Sequence, residues 1–432
     1  MQTLIGWAKV TLSVALGTPL AGYEGGPPRL ATGTHDPLYV RALTIAQSGR
    51  RVCIVSCDLV AVDNSFVQRI AGNVQKWGIV PADFFMAATH CHAGPAGLFE
   101  TNGVLGGLIT AMAGESDHGI INNLEAIILQ AVETSCQSMR PAALRAGAVP
   151  SPGIGTDRND PSRNGDGLLS VLQFEDDAGE QIIVYSTACH PTVLHADNTL
   201  VSADFPGATA RALERGPVKM AMFLNGSAGD VSTRFTRKGT GFDEVERLGG
   251  LLAEQVTKAL EELPLAQSDF ALKCSEMQMQ MILRKASSPR QEEENLERLK
   301  KALAEATVQG ADKATLRLLE ARCEGAYMGL LYSQNQPQAE SLLMRIQFLR
   351  VGPLILVFFP VELFSALSNL LRADIPDLVP VSYANGYFGY LPGKEIEHTD
   401  NYEKFVTIFA YGQGEELMAE VARHVKKNEA ET

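Results

Sequence analysis

Five short apolar runs, each closed by a polar residue suited to binding or proton transfer, constrain this chain more than any other feature. They are RVCIVSCD (51–58), DFFMAATH (83–90), QIIVYSTACH (181–190), VKMAMFLNG (218–226) and PLILVFFPVE (353–362). Runs this short, rich in β-branched and aromatic residues and followed by Gly, Pro or Asn, are the pattern of buried strands. Between them stand 64–77, 118–139 and 244–263, whose apolar residues recur at the three- and four-residue spacing of amphipathic helices. Strands alternating with helices imply an α/β domain of mixed β-sheets flanked by helices. The first polar residues after the runs are Asp58, His90, His190, Asn225 and Glu362. Ligands in open α/β sheets sit beyond the carboxyl ends of strands, so these five are expected to share one pocket floor.

The segment 285–337 reads differently, with dense charge and a QGAD break between two helical halves, and is expected to be a helical hairpin inserted in a single domain spanning 1–432. The stretch 421–432 is expected to fray. No run approaches the ~20 apolar residues of a membrane span. A formal net charge of −13 leaves no basic field for a phosphate backbone, so nucleic acid is excluded as a partner. The N-terminus lacks a basic stretch followed by a continuous apolar one, and the seven cysteines show no paired framework. These features point to the cytoplasm, with secretion as the alternative.

In ATHCHAGPAG (88–97), alternate residues of an extended segment face one side, so His90 and His92 present two imidazoles together while Cys91 points away. Two hydrogen-bonded loop histidines are the plain alternative. His190 ends a second run. Glu362 follows an apolar stretch where an unpaired carboxylate is very costly, and a cation resolves that cost. Two imidazoles, a carboxylate and an open position make up a common catalytic zinc site. Cys91 and Cys189 read as small core residues. Asp230 and Ser232 in NGSAGDVSTRF (225–235) fit a plain helix N-cap, and the four tyrosines in 382–403 fit packing.

Taken in order, these pieces resemble the neutral/alkaline non-lysosomal ceramidase family, in its catalytic domain and as a bacterial-type, single-domain member. PLAGYEG (19–25) with HDPLYVRAL (35–43), ATHCHAGPAG, TDRNDPS (156–162), GDVSTR (229–234) and NGYFGYLPGKEIEHTDNYE (385–403) carry the resemblance. It implies one zinc ion per chain held by His90, His190, Glu362 and Tyr390. It implies His92, Arg158 and Tyr402 beside the site, Gly22 in the pocket wall, and Ser232 as a residue needed for activity. Two departures stand out: Thr233-Arg234 follow Ser232 where the family has Pro-Asn, and Pro392-Gly393 replace its Thr pair.

The resemblance implies a zinc-dependent amidohydrolase that cleaves an N-acyl, ceramide-like amide by a metal-activated water, and so a place in sphingolipid metabolism. Arg158 or Tyr402 is expected at the oxyanion, and His92 as the proton shuttle, since an imidazole titrates near neutrality. Ser232 is expected to position water or ligand. Two alternatives are an esterase or deacetylase acting on a small polar N-acyl or sugar-like substrate at the same site, and a non-catalytic binding module.

Overall fold

The computed structural model describes residues 2–23, 28–100 and 105–430. Residues 24 and 25 of the opening motif lie outside the described residues. An eight-stranded sheet runs in the order Val218–Asn225, Gln181–Thr187, Leu168–Asp176, Arg140–Pro150, Leu4–Leu12, Leu38–Gln47, Arg50–Cys57, Phe84–Ala88. Its centre is antiparallel, while the pairs at its two ends, Gln181–Thr187 with Val218–Asn225 and Arg50–Cys57 with Phe84–Ala88, are parallel. A second sheet, Leu272–Ile282, Ser341–Val351, Leu354–Phe358, Leu378–Val381, packs on the first through Ile54, Phe85, Phe174, Leu349, Leu356 and Phe358.

Helices cover the outer faces. Phe66 and Ile70 of Asn64–Asn73, Leu124 and Ile128 of His118–Gln137, and Leu248 and Leu252 of Phe242–Glu262 bury against the large sheet. Leu367 and Leu371 of Ser365–Asp374 and Leu417 and Val421 of Gln413–Ala430 cover the small one. The layers are therefore helices, sheet, sheet, helices, an α/β fold of mixed sheets flanked by helices. The chain end expected to fray is instead helix through Ala430, because Val421 and Val425 seat it in the core. Among the described residues no helix is long and apolar enough to cross a membrane.

The large sheet curls until its two parallel ends meet. Ser56 Oγ donates to the Phe223 carbonyl across the gap at 2.7 Å. Both histidine-bearing strands thus finish at the same rim. Between strands 272–282 and 341–351 of the second sheet the chain leaves as two helices, Pro289–Val308 and Lys313–Gln334. Ser288 and Gln291 form a reciprocal capping box on the first, Asp312 caps the second, and Gly310 (φ 71°) makes the turn. At Gly325 the second helix meets Tyr402–Val406 so closely that a Cβ would lie 2.8 Å from Tyr402 Cα.

Backbone closeness also fixes the helices over the large sheet: a Cβ on Gly249 would lie 2.4 Å from Ala208 Cβ and 2.9 Å from Thr209 N. Gly249→Leu is therefore expected to lower unfolding stability by about 1–3 kcal/mol through overpacking, read by chemical denaturation. An unchanged midpoint would show that this helix crossing yields freely.

Candidate functional site

Three chain segments bring the site together. After Phe84–Ala88 the chain turns sharply at His90, whose left-handed backbone (φ 68°) is rare for a non-glycine residue. Flanking hydrogen bonds hold it, from Thr89 N–H to Cys57 O and from Cys91 N–H to Leu59 O, both 2.9 Å. After Gln181–Thr187, His190 N–H donates to Val231 O at 2.9 Å. Glu362 lies past Leu354–Phe358 in a two-residue strand paired in parallel with Tyr390–Leu391. The fully buried Asn225 joins the first two segments: its Nδ2 donates to Thr89 O at 3.2 Å and to Cys189 O at 3.1 Å, and its Oδ1 accepts from Cys189 N–H. The glycine-rich bend that follows closes on the third, since a Cβ on Gly229 would sit 2.6 Å from Glu362 O.

Proton positions follow from the hydrogen bonds. His90 Nδ1 donates to Val60 O at 2.7 Å and His190 Nδ1 to Ala228 O at 2.5 Å, so in each neutral ring Nε2 carries a lone pair. Those nitrogens face one oxygen of Glu362, at 3.4 Å from His90 and 3.1 Å from His190. His92 Nε2 stands 3.1 Å from His90 Nε2, and one ring nitrogen each of His90, His92 and His190 lie within 4.8 Å of one another. Burial pushes His90 down to about 3 and lowers His190, with Arg158 adding to the latter. Burial alone would raise the Glu362 carboxyl, but His90, His190 and Tyr387 hold it below its ordinary range. Two lone pairs and a carboxylate converging away from water are a donor set that a cation would satisfy. Imidazole and carboxylate are zinc's usual nitrogen and oxygen ligands, so the residues fit that ion.

Tyrosines and one arginine complete the surroundings. Tyr387 donates to Glu362 Oε1 at 2.5 Å and Tyr383 to Oε2 at 3.2 Å, while the Tyr383 ring stacks on His90 at 3.9 Å. Tyr390 places its hydroxyl 3.4 Å from His190 Nε2. Gly22 (φ 95°) leaves room for His92, for a Cβ there would lie 2.4 Å from its ring. Asp157 accepts from Asn159 N–H and Asp160 N–H, and that turn directs Arg158 inward. Arg158 Nε then donates to Glu403 at 2.6 Å and its Nη1 lies 3.2 Å from His190 Nε2. Ser232 bridges to the His190 backbone, and its Oγ accepts from Arg234 N–H at 3.2 Å.

Two cavities meet at this point. One, of about 150 Å³, is walled by Leu105, Leu108, Ile109, Met112, Val406 and Ile408, with His90 and Glu362 at its base. The other, of about 550 Å³, is polar and holds His190, Arg158 and Ser232. Gly22, His92, Met328, Tyr390 and Tyr402 belong to both, so they mark the junction. Met328 comes from the second hairpin helix, as do Arg317, Ala321 and Glu324 in the polar wall.

All nine residues singled out from the sequence, His90, His92, His190, Glu362, Tyr390, Tyr402, Arg158, Ser232 and Gly22, line these cavities. Asp58 does not join them; it turns to Arg41 on the neighbouring strand at 2.9 Å. Asp230 is no cap for its own segment. Its carboxylate accepts from Ser365 N–H and Oγ and so caps a helix over a hundred residues away. Cys91 and Cys189 are buried thiols, raised by burial, with Cys91 donating to Ser202 O. Asn225, expected on the same pocket floor, lines neither cavity and instead ties the two histidine loops together; Tyr383 and Tyr387, expected to pack, donate to Glu362; Glu403 escaped sequence reasoning. The signal for Glu403 was present, since a buried arginine requires an anion.

The family model for neutral/alkaline non-lysosomal ceramidase, N-terminal, matches residues 5–239, more than half of the chain. The fold is similar to neutral ceramidase from Pseudomonas aeruginosa, at 19% identity and a TM-score of 0.74, over 99% of this chain and 75% of that one. It is also similar to a ceramidase complexed with C2, at 18% identity and a TM-score of 0.71, over 99% of this chain and 76% of the other. The curated proteins returned no match.

Arg158 and Glu403 are both buried, and Asn159 Nδ2 fills the second Glu403 oxygen at 3.1 Å. Glu403→Gln leaves a guanidinium without its anion and is expected to destabilise the fold by about 3–5 kcal/mol, seen as a lowered denaturation midpoint. A loss under about 1 kcal/mol would mean that water or Tyr390 compensates the charge.

Proposed function

The chain belongs to the neutral/alkaline non-lysosomal ceramidase family, and from that premise we propose that it hydrolyses the amide bond of an N-acyl amine at a zinc ion held by His90, His190 and Glu362. The observation that supports the ion is the convergence of two imidazole lone pairs on one buried carboxylate oxygen. Bound zinc supplies Lewis acidity and lowers the pKa of water toward neutrality. Tyr390 is the fourth ligand in this reading, supported by its hydroxyl beside His190 Nε2. A second reading puts His92 in that place, favoured by the close grouping of the three histidine nitrogens.

The apolar cavity takes the acyl chain, which leaves the scissile carbonyl at the junction where Tyr402 stands. Tyr402 is set edge-on to Tyr390 with ring centres 5.7 Å apart, and the Arg158 guanidinium lies 5.7 Å from its ring centre. Its phenol donates to the carbonyl oxygen as negative charge develops there. Arg158 adds fixed positive charge from behind. If His92 is not a ligand, its imidazole carries the proton to the leaving amine. Ser232, against the His190 backbone and bonded to Arg234 N–H, orders the polar side of the junction rather than attacking.

Metal analysis separates the ligand readings. Wild-type protein is expected to hold about one zinc per chain, and His190→Ala to lose it. Tyr390→Phe lowers the content if the phenol ligates, whereas His92→Ala does so if the third imidazole ligates. Stoichiometric zinc in His190→Ala overturns the site altogether.

Tyr402→Phe is expected to keep its zinc and to lower kcat about 100- to 1000-fold, the effect of removing one main oxyanion donor. Steady-state kinetics with an N-acyl-sphingosine reads this directly. Wild-type kcat would move the oxyanion role to Arg158.

A further inference from the structure

The polar cavity is far more cationic than a neutral lipid headgroup requires. Arg158, Arg234, Arg237 and Arg317 all line it. Arg158 is matched by Glu403 and Arg317 by Glu324, at 2.6 and 2.9 Å. Arg234 and Arg237 have no carboxylate partner among the described residues. Each is instead held by a main-chain carbonyl: Arg234 Nη1 donates to Arg158 O at 2.9 Å, and Arg237 Nη1 donates to Thr192 O. Asp204 acts on Arg237 from a distance, but its oxygens are already engaged by Leu194 N–H and Phe205 N–H. Such bonds orient a guanidinium without neutralising it, which leaves the rest of each fork for an anion.

The electrostatics agree. Burial, then Arg158 and Arg317, push the Arg234 guanidinium down to about 10, so its charge is retained at neutrality under repulsion that an anion would relieve. Arg158 Nη2 is buried without a hydrogen-bond partner.

Resting on the amide-hydrolase reading above, we propose that the substrate is an N-acyl amine whose amine half carries a compact anion, an N-acyl amino acid in the first instance. Its acyl chain fills the apolar cavity and its carboxylate reaches Arg234 and Arg237, with the amide at the junction between them. In the reaction a water oxygen bonds to the acyl carbon, the carbon–nitrogen bond breaks, and the water's proton passes to nitrogen. The products are a fatty carboxylate and a free amino acid.

The test compares N-lauroylglycine with its neutral counterpart N-lauroylethanolamine, and with N-lauroyltaurine and N-lauroylethanolamine phosphate to separate carboxylate from sulfonate and phosphate. Each is followed by kcat/KM and by calorimetric binding to the zinc-loaded protein. The carboxylate is expected to exceed the neutral amide by at least about tenfold in both, as a charge-assisted pair implies. That preference is expected to shrink with added salt, to fall toward unity in Arg234→Gln with Arg237→Gln, and to be partly kept in Arg234→Lys. Equal values for the neutral and anionic compounds in wild-type protein overturn the proposal, whatever the variants do. A preference confined to sulfonate or phosphate overturns the amino-acid assignment. If nothing is hydrolysed, the amidase reading fails, and the binding comparison still decides whether the cavity selects an anion.

Discussion

Glu362 sets the terms for everything around it. A carboxylate that is 2% exposed has lost nearly all of its water, and two neutral imidazoles turn lone pairs toward it. Nothing in that trio donates a proton into the centre, so its burial is costly unless groups outside it supply donors or positive charge. The protein supplies donors from outside, Tyr387 and Tyr383, and fixes both imidazoles through their far nitrogens. Such an arrangement fixes the ring orientation before any ligand arrives, which is how outer contacts tune a metal site.

Holding those groups requires unusual backbone, and the sheets make it tolerable. His90 and Tyr383 both adopt left-handed conformations, at φ 68° and 55°, worth about 1–3 kcal/mol of strain each. They stack on one another, and each is tied down, Tyr383 by its N–H to Val361 O and by Ala88 N–H to its carbonyl, His90 by its Nδ1 to Val60 O. The curled large sheet brings Thr89 and Cys189 to either side of Asn225, whose single side chain bonds to both. Replacing that amide would free both histidine loops at once, because no apolar isostere offers donors in two directions.

The histidine–carboxylate part of the site was legible in the sequence for a physical reason. His90, His190 and Glu362 close short apolar runs, and polar groups at such positions must find partners near a rim. Asp58 obeyed the same rule differently, meeting Arg41 on the adjacent strand, which only the register reveals. Asp230 shows the same limit, since a helix distant in sequence took its carboxylate. The antiparallel middle of the large sheet, from Leu4–Leu12 to Leu168–Asp176, escaped notice because its strands mix polar and apolar residues rather than running apolar. Glu403 acts through a contact 245 residues along the chain that no local spacing announces, and Asn225, legible as a strand end, bonds to loops that only the fold brings beside it.

The second hairpin helix connects the surroundings of the histidine–carboxylate cluster to the cationic wall of the polar cavity. Gly325 lets that helix lie against Tyr402–Val406, so Tyr402 is backed by Lys313–Gln334. The same helix gives Met328 to the junction and Arg317 to the cationic wall. A displacement of this one element would loosen the phenol at the junction, open the apolar cavity and change the charge balance of the polar one together. Arg298, on the first hairpin helix, donates to Asp400 at 3.1 Å and ties the hairpin to the loop just before Tyr402. That exposed contact is weak by itself, so the hairpin's register rests mainly on the close packing at Gly325. The phenol at the junction and the charge of the polar wall therefore share a single mechanical support, and neither can be altered there without altering the other.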